Sequence, residues 1–379
     1  MFLNSRKKLS LFLLGGFSLL AGLILIVTAA IGGAPARAGD LPSPAEPSTP
    51  MSQITTTMLG TGTVVVDQTN SSNTYTLKSG YIYKFEVWGA QGANGGAAVA
   101  TGGTGGKGSY ATGWYDMREQ SAQTITWFAG RAGSGRTAGI PNFSGTGALN
   151  SFTGASGGTS LNNDGIGGGG GGASGIIQGA TPLIVSGGGG GAGGGGGASG
   201  TSYLNYQGGN GGNGGDANGT NGATGHSPGE FSAHGGNRGT STAHGTGGYA
   251  ENTSGQAGVG SNGTASSGGA GATHSNYSLS VRGGGGGGAG GGYTAGMSGG
   301  GGGAVSYRDY SNMAWAYGAG GGGGSGGTSF IGGVTSISGS TATTTWAQRT
   351  GHGRVVITEY KIEYTIALPP ESGEGWVLL

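Results

Sequence analysis

The chain has 379 residues, of which 101 are glycine, 10 proline and none cysteine, and only 8% are charged. Scarce proline excludes collagen, and absent cysteine excludes disulfides, thiolate metal sites and cysteine nucleophiles. A net charge of +1, with no basic cluster beyond Arg6-Lys7-Lys8, offers nothing for nucleic acid, and 15 Tyr, 6 Trp and 9 Phe are too many aromatics for a disordered chain.

Taken from the N-terminus, Arg6, Lys7 and Lys8 precede an uncharged apolar run at 9–31, read as a single hydrophobic helix. Ala36-Arg37-Ala38 resembles a signal-peptidase site, with cleavage after Ala38. The run is longer than a usual secretory core and long enough to span a bilayer. Residues 1–38 therefore read as either a signal peptide or an uncleaved membrane anchor. Both place the rest of the chain outside the cytoplasm, because the basic flank stays inside. Residues 39–50 form a Pro-rich, extended spacer.

Next come β-prone runs at 62–67 (GTVVVD), 74–78 (TYTLK), 81–88 (YIYKFEVW) and 124–130 (TITWFAG). In the third, Tyr81, Tyr83, Phe85 and Val87 alternate with Lys84 and Glu86, as in a half-buried strand. Residues 353–366 (GRVVITEYKIEYTI) are equally β-like, and no stretch after residue 40 has a helical period. Thr181–Ser186 reads as a buried strand that runs directly into glycine at 187–197. The expected class is mostly β with little helix, with β parts at about 60–133 and 328–366 of a domain covering 51–366, and a tail at 367–379.

Glycine tracts recur between about 134 and 327: 167–172, 187–197, 208–215, 283–292, 299–303 and 320–327. A flexible linker needs no such recurrence. An ordered glycine tract has little apolar surface to offset its entropy, so its backbone N–H and C=O groups must bond to neighbours. The polyproline-II geometry leaves those groups free to bond sideways, and chains without side chains can approach closely enough to do so. The region thus predicts a bundle of laterally packed polyglycine-II-type helices, with Gly187, Gly189, Gly191, Gly285, Gly301 and Gly322 among its scaffold glycines. The rhythm of GGNGGNGGD (208–216) puts every third residue on one outward edge.

The blocks KFEVWGAQGANGG (84–96), GGKGSYATG (105–113), TWFAGRAG (126–133), GGGGGGASG (167–175), LIVSGGGGGAGG (183–194), GGGGGSGGTSFIGG (320–333) and GRVVITEY (353–360) follow one another in order. In that order the chain, over about 60–362, resembles the glycine-rich domain of the extracellular region of anaplastic lymphoma and leukocyte receptor tyrosine kinases, and similar domains of bacterial surface proteins. The resemblance implies glycine helices beside a jelly-roll-like β-sandwich that recognises a protein ligand. Bacteriophage tail-tip adhesins offer a second, looser likeness. The animal receptors use disulfides, which this chain cannot form.

The strand lysine, His-Arg-Asp loop and Asp-Phe-Gly site of a kinase are absent from the sequence. GxSxG at 154–158, 296–300 and 323–327 is what this composition produces by chance, so no catalytic residue is assigned. His226, His234, His244, His274 and His352 are irregularly spaced, and 211–219 matches a calcium repeat only in part, so neither metal nor cofactor is expected. LPPESG (368–373) resembles a sorting signal but is followed here by only six residues.

Candidate ligand contacts are the aromatics between tracts: Tyr203 and Tyr206, then Tyr307, Tyr310, Trp315 and Tyr317. They either bind a partner or shield the ends of the bundle. The expected function is an extracytoplasmic recognition or adhesion scaffold without catalysis, for a protein or glycan ligand on another surface, with no nucleic acid. The membrane is a partner through 9–31 if that segment stays uncleaved. The alternatives are a self-associating structural surface or matrix protein and, more distantly, a fragment related to a receptor kinase ectodomain.

Overall fold

In the computed structural model, the described residues are 54–98, 100–139, 152–159, 165–198, 207–215, 222–223, 225, 233–237, 245–249, 256–258, 281–293, 304–308, 316–318, 320–337 and 339–366. The run 9–31, the Ala38 site, Gly301 and the 368–373 motif lie outside them. The described residues fall in one compact unit, Ser52–Leu379. They are mostly β, with no α-helix among them.

The strands in chain order are β1 (Ile54–Leu59), β2 (Thr63–Thr69), β3 (Ser72–Leu77), β4 (Tyr81–Trp88), β5 (Gly108–Asp116), β6 (Gln123–Phe128), β7 (Ser174–Gln178), β8 (Thr181–Ser186), β9 (Gly197–Ala198), β10 (Gln256–Gly258), β11 (Val281–Arg282), β12 (Ala304–Arg308), β13 (Ala316–Gly318), β14 (Thr343–Arg349) and β15 (Arg354–Ile366). Two antiparallel sheets dominate. The first has the order β1-β15-β4-β5-β14, with β2 also on β15; the second is β3-β6-β7-β8.

The two sheets share one core. Tyr83, Phe85 and Val87 of β4 and Val355 and Ile357 of β15 pack with Leu77, Ile125, Trp127, Ile176 and Ile184 of the second sheet. The alternation read in 81–88 is therefore the division between core face and outer face. Phe85 stacks on Tyr115 at 5.8 Å between centroids. On the outer face, Lys84 pairs with Glu86 at 3.0 Å. At one end Glu359, only 9% exposed, accepts hydrogen bonds from the Tyr83 hydroxyl at 3.0 Å and the Lys78 ammonium at 3.0 Å. The Tyr75 hydroxyl donates to the same carboxylate at 3.2 Å. Three donors offset the cost of burying that carboxylate.

Beside the sheets lies a second region built on another rule. Segment 187–196 runs through its middle and is hydrogen-bonded to six others. The N–H groups of Gly188, Gly191 and Gly194 donate to the carbonyls of Gly291, Gly288 and Gly285. Those of Gly189, Ala192 and Gly195 donate to Ala90, Ala93 and Gly96, and those of Gly190 and Gly193 to Gly212 and Gly209. In return, the carbonyls of Gly188, Gly191 and Gly194 accept from Gly327, Gly324 and Gly321. Those of Gly187, Gly190 and Gly193 accept from Ser109, Gly106 and Gly103, and those of Gly189 and Ala192 from Gly171 and Gly168. All these bonds are between 2.7 and 3.0 Å. Each neighbour is met at every third residue, whereas a β-strand bonds to two neighbours at alternate residues.

The six neighbours also bond to one another and close a ring. Gly92 donates to Gly106, Gly211 to Thr104, Gly212 to Gly324, Gly287 to Gly322, Gly288 to Gly168 and Ala93 to Gly169. Side chains would prevent this spacing. A Cβ on Gly189 would lie closer than 3.0 Å to the carbonyl oxygens of Gly106 and Lys107, both backbone atoms that cannot swing away. Ala192, Ala289 and Ser325 are fully buried in the tracts, so the array admits a small side chain at a few positions. The three-residue rhythm of 208–216 is visible too: Asn210 and Asn213 accept, through Oδ1, from the N–H groups of Thr104 and Lys107, each at 2.8 Å.

The array does not follow the sequence division at 133/134. Segments 89–96 and 101–109, which lie among the β parts, form two sides of the ring, while β7 and β8 leave the tract region for the second sheet. Buried serines stand where strands of the two main sheets meet the tracts. Ser109 Oγ lies 2.8 Å from the hydroxyls of Ser186 and Ser329, and the Gly89 N–H donates to Ser186 Oγ at 3.1 Å. Ser174 Oγ accepts from the Gly130 N–H at 2.9 Å. The Gly130 N–H, and the Gly187 N–H that donates to Ser329 Oγ at 3.1 Å, thus find acceptors where the chain has left a β-ladder, while the Gly89 N–H shares Ser186 with the Ser109 carbonyl.

Candidate recognition surfaces

By sequence, 304–318 reads as an aromatic loop between the tracts 299–303 and 320–327. Its described parts are instead β12 and β13, paired antiparallel with β10 on the outer side of β12. The apolar alternation of Ala304–Arg308 and the small Ala316 and Gly318 suit strands. In this register Tyr307 stands directly opposite Tyr317, and Arg308 opposite Ala316. Opposed residues of an antiparallel pair share a face, so the two tyrosine positions are brought together. Tyr310, Trp315, Tyr203 and Tyr206 lie outside the described residues. Gly187, Gly189, Gly191, Gly285 and Gly322 all lie in the ring or at its centre.

Sequence reasoning missed a second aromatic surface on the outer face of the first sheet. Register aligns Tyr110, Trp88 and Arg354 across three strands. The Trp88 and Tyr110 rings lie 4.8 Å apart, and the Arg354 guanidinium sits 5.4 Å from the Trp88 ring centroid. Arg354 also forms a two-pronged pair with Asp67 at 2.7 and 2.6 Å. That hydrogen bond holds the Asp67 carboxyl below its usual range. The Tyr110 hydroxyl donates to Glu86 at 2.7 Å, and burial first, with Glu86 beside it, pushes this phenol up to about 12. The three residues are far apart in the chain, and only strand pairing aligns them. Trp346, 60% exposed on edge strand β14, and Tyr249, 50% exposed, are further large side chains open to solvent.

His234 stacks on Tyr249 at 4.5 Å, and His352 Nδ1 accepts from the Ala132 N–H at 3.0 Å. His226, His244 and His274 lie outside the described residues. Among the described residues no three His, Asp or Glu side chains are grouped to hold a metal ion. Two of the GxSxG matches, 154–158 and 323–327, belong to the glycine array, where Ser325 is fully buried. The match at 296–300 lies outside the described residues. Compared with known proteins, the chain matches no family model, and no curated protein is detectably similar to it.

Proposed function

We propose that this chain is an extracytoplasmic surface protein that presents recognition segments on a rigid glycine scaffold, without catalysis. The observation that carries the reading is the closed ring of six segments around 187–196, bonded at every third residue. That pattern fits polyglycine-II-type helices, and the two sheets beside them fit a jelly-roll-like sandwich, as in the glycine-rich domains this sequence resembles. A lattice of bare backbone has no side chains with which to distinguish partners. Recognition of a protein or glycan on another surface therefore falls to the segments the lattice holds, and foremost to 304–318, where Tyr307 and Tyr317 are opposed. The pairing of β12 with β10 and β13 limits the entropy this segment loses on binding. Residues 9–31 deliver the chain across the membrane, as a cleaved signal or as an anchor.

The test is the combined variant Tyr307→Ala, Trp315→Ala and Tyr317→Ala, assayed for attachment of the protein to cells and for thermal melting. Loss of attachment with unchanged melting supports the reading. Retained attachment removes this segment as the contact, and a fall in melting temperature makes these aromatics packing groups.

A second reading, a self-associating matrix protein, has one observation in its favour. The array is held by backbone bonds that any glycine segment can make, much as an open strand edge accepts another strand. Ordered assemblies in sedimentation experiments on the purified chain would favour it over a monomeric adhesin.

A further inference from the structure

The geometry points to a binding cleft for an uncharged saccharide between the edge strands β2 and β3. These consecutive strands belong to different sheets, β2 pairing with β15 and β3 with β6, so the sheets part where the chain passes between them. The parting leaves a cleft of about 430 Å³. That volume falls within the usual range of small-ligand sites, on the order of 300–1,000 Å³.

The lining has an unusual composition for the mouth of an apolar core. Register puts Asn73 on the same face of its sheet as Trp127 and Tyr75, and Gln68 on the same face of the other sheet as Val66. Two amides thus occupy core-facing positions at the opening. Between Val64 and Val66 the ladder skips a residue, so Val65 is bulged and lines the cleft together with Val66. Bulges re-aim side chains in this way beside binding sites. Trp127 is almost fully buried at the cleft, and the Tyr75 hydroxyl is committed to Glu359. Ser71 also lines the cleft, and its buried Oγ has no hydrogen-bond partner among the described residues.

The chemistry of the ligand follows from these groups. None of the lining side chains is a carboxylate, an ammonium or a guanidinium, so an ionic ligand would lose hydration without gaining a counter-charge. Hydroxyls and amides both donate and accept, which matches the hydroxyls of a sugar. The apolar face of a pyranose ring suits Tyr75, Trp127 and the two valines. This cleft is separate from the 304–318 segment and does not depend on its role.

The experiment is saturation-transfer NMR on the purified full chain with D-glucose, D-galactose, D-mannose, N-acetylglucosamine and lactose, with D-glucuronate as the charged comparator. At least one neutral sugar should bind, and its affinity should fall about tenfold in Gln68→Ala and in Asn73→Ala, as expected for a lost hydrogen bond. Both side chains are exposed, so melting temperatures should not move. The fluorescence change on binding should vanish in Trp127→Phe. Absence of binding by every neutral sugar, tighter binding of glucuronate, or binding indifferent to both amide variants would each overturn the proposal.

Discussion

The sandwich and the glycine array stand side by side in one chain and are held by opposite means. In the sandwich, side chains such as Tyr83, Phe85 and Ile357 leave water, and strand pairing satisfies the backbone they carry. In the array there is almost nothing apolar to bury, and stability rests on backbone hydrogen bonds made in several directions at once. Each such bond contributes about 1 kcal/mol net. That is of the same order as the cost of ordering one residue, and glycine is the residue that loses most entropy. A single tract would therefore not hold its shape alone. Order appears only when tracts surround one another, as six surround 187–196. At most tract glycines, the same addition of a methyl group that fills a core elsewhere forces this lattice apart.

Substitutions sharpen this contrast. The largest effect is expected for Gly189→Val, whose side chain would overlap the carbonyls of Gly106 and Lys107. A loss above about 5 kcal/mol, exceptional for one substitution, should be seen in chemical denaturation. Unchanged melting and protease resistance would mean that the tract is a linker. In the sandwich the damaging change is the reverse. Phe85→Ala removes a fully buried ring and should cost about 3–5 kcal/mol. At the joint, Ser186→Ala removes one of two acceptors of the Gly89 N–H, which keeps the Ser109 carbonyl, and one partner of the Ser109 hydroxyl, which keeps Gly187 and Ser329, at a cost of about 0.5–1.5 kcal/mol.

The smallest effect separates the regions by pH. Tyr75, Tyr83, Tyr110 and Tyr115 are all raised above the ordinary phenol value, chiefly by burial. A raised folded value means that the stability they contribute is present below about pH 10 and is lost as pH climbs through the folded values. Tracts 187–196, 284–291 and 320–327 contain no titratable side chain. Phenolate absorbance and near-ultraviolet circular dichroism should therefore change together between about pH 10 and pH 12 as the sandwich loosens. Early loss of amide protection in the glycine tracts, before any phenol ionises, would contradict the division.

Much of the sandwich could be read from local pattern. The alternation in 81–88 assigned its core face correctly, because a strand with one wet side has period two. The runs at 62–67, 74–78, 124–130 and 353–366 correspond to β2, β3, β6 and β15. β5 and β14 carry weaker strand signals. Gly108 and Gly113 weaken the signal of β5, and the threonine-rich β14 has little apolar alternation.

By itself the sequence determined which residues lack side chains, where the strands begin and that the tracts must bond outward if ordered, since those properties belong to single residues or short windows. Only the tertiary structure decided which tracts meet, that 89–96 and 101–109 join the ring, that Tyr110, Trp88 and Arg354 align, and that Tyr307 faces Tyr317. One glycine tract is chemically the same as the next, so nothing local tells 187–196 to sit at the centre. Its place is set by the strands that deliver each tract and by the serines that hold the junctions.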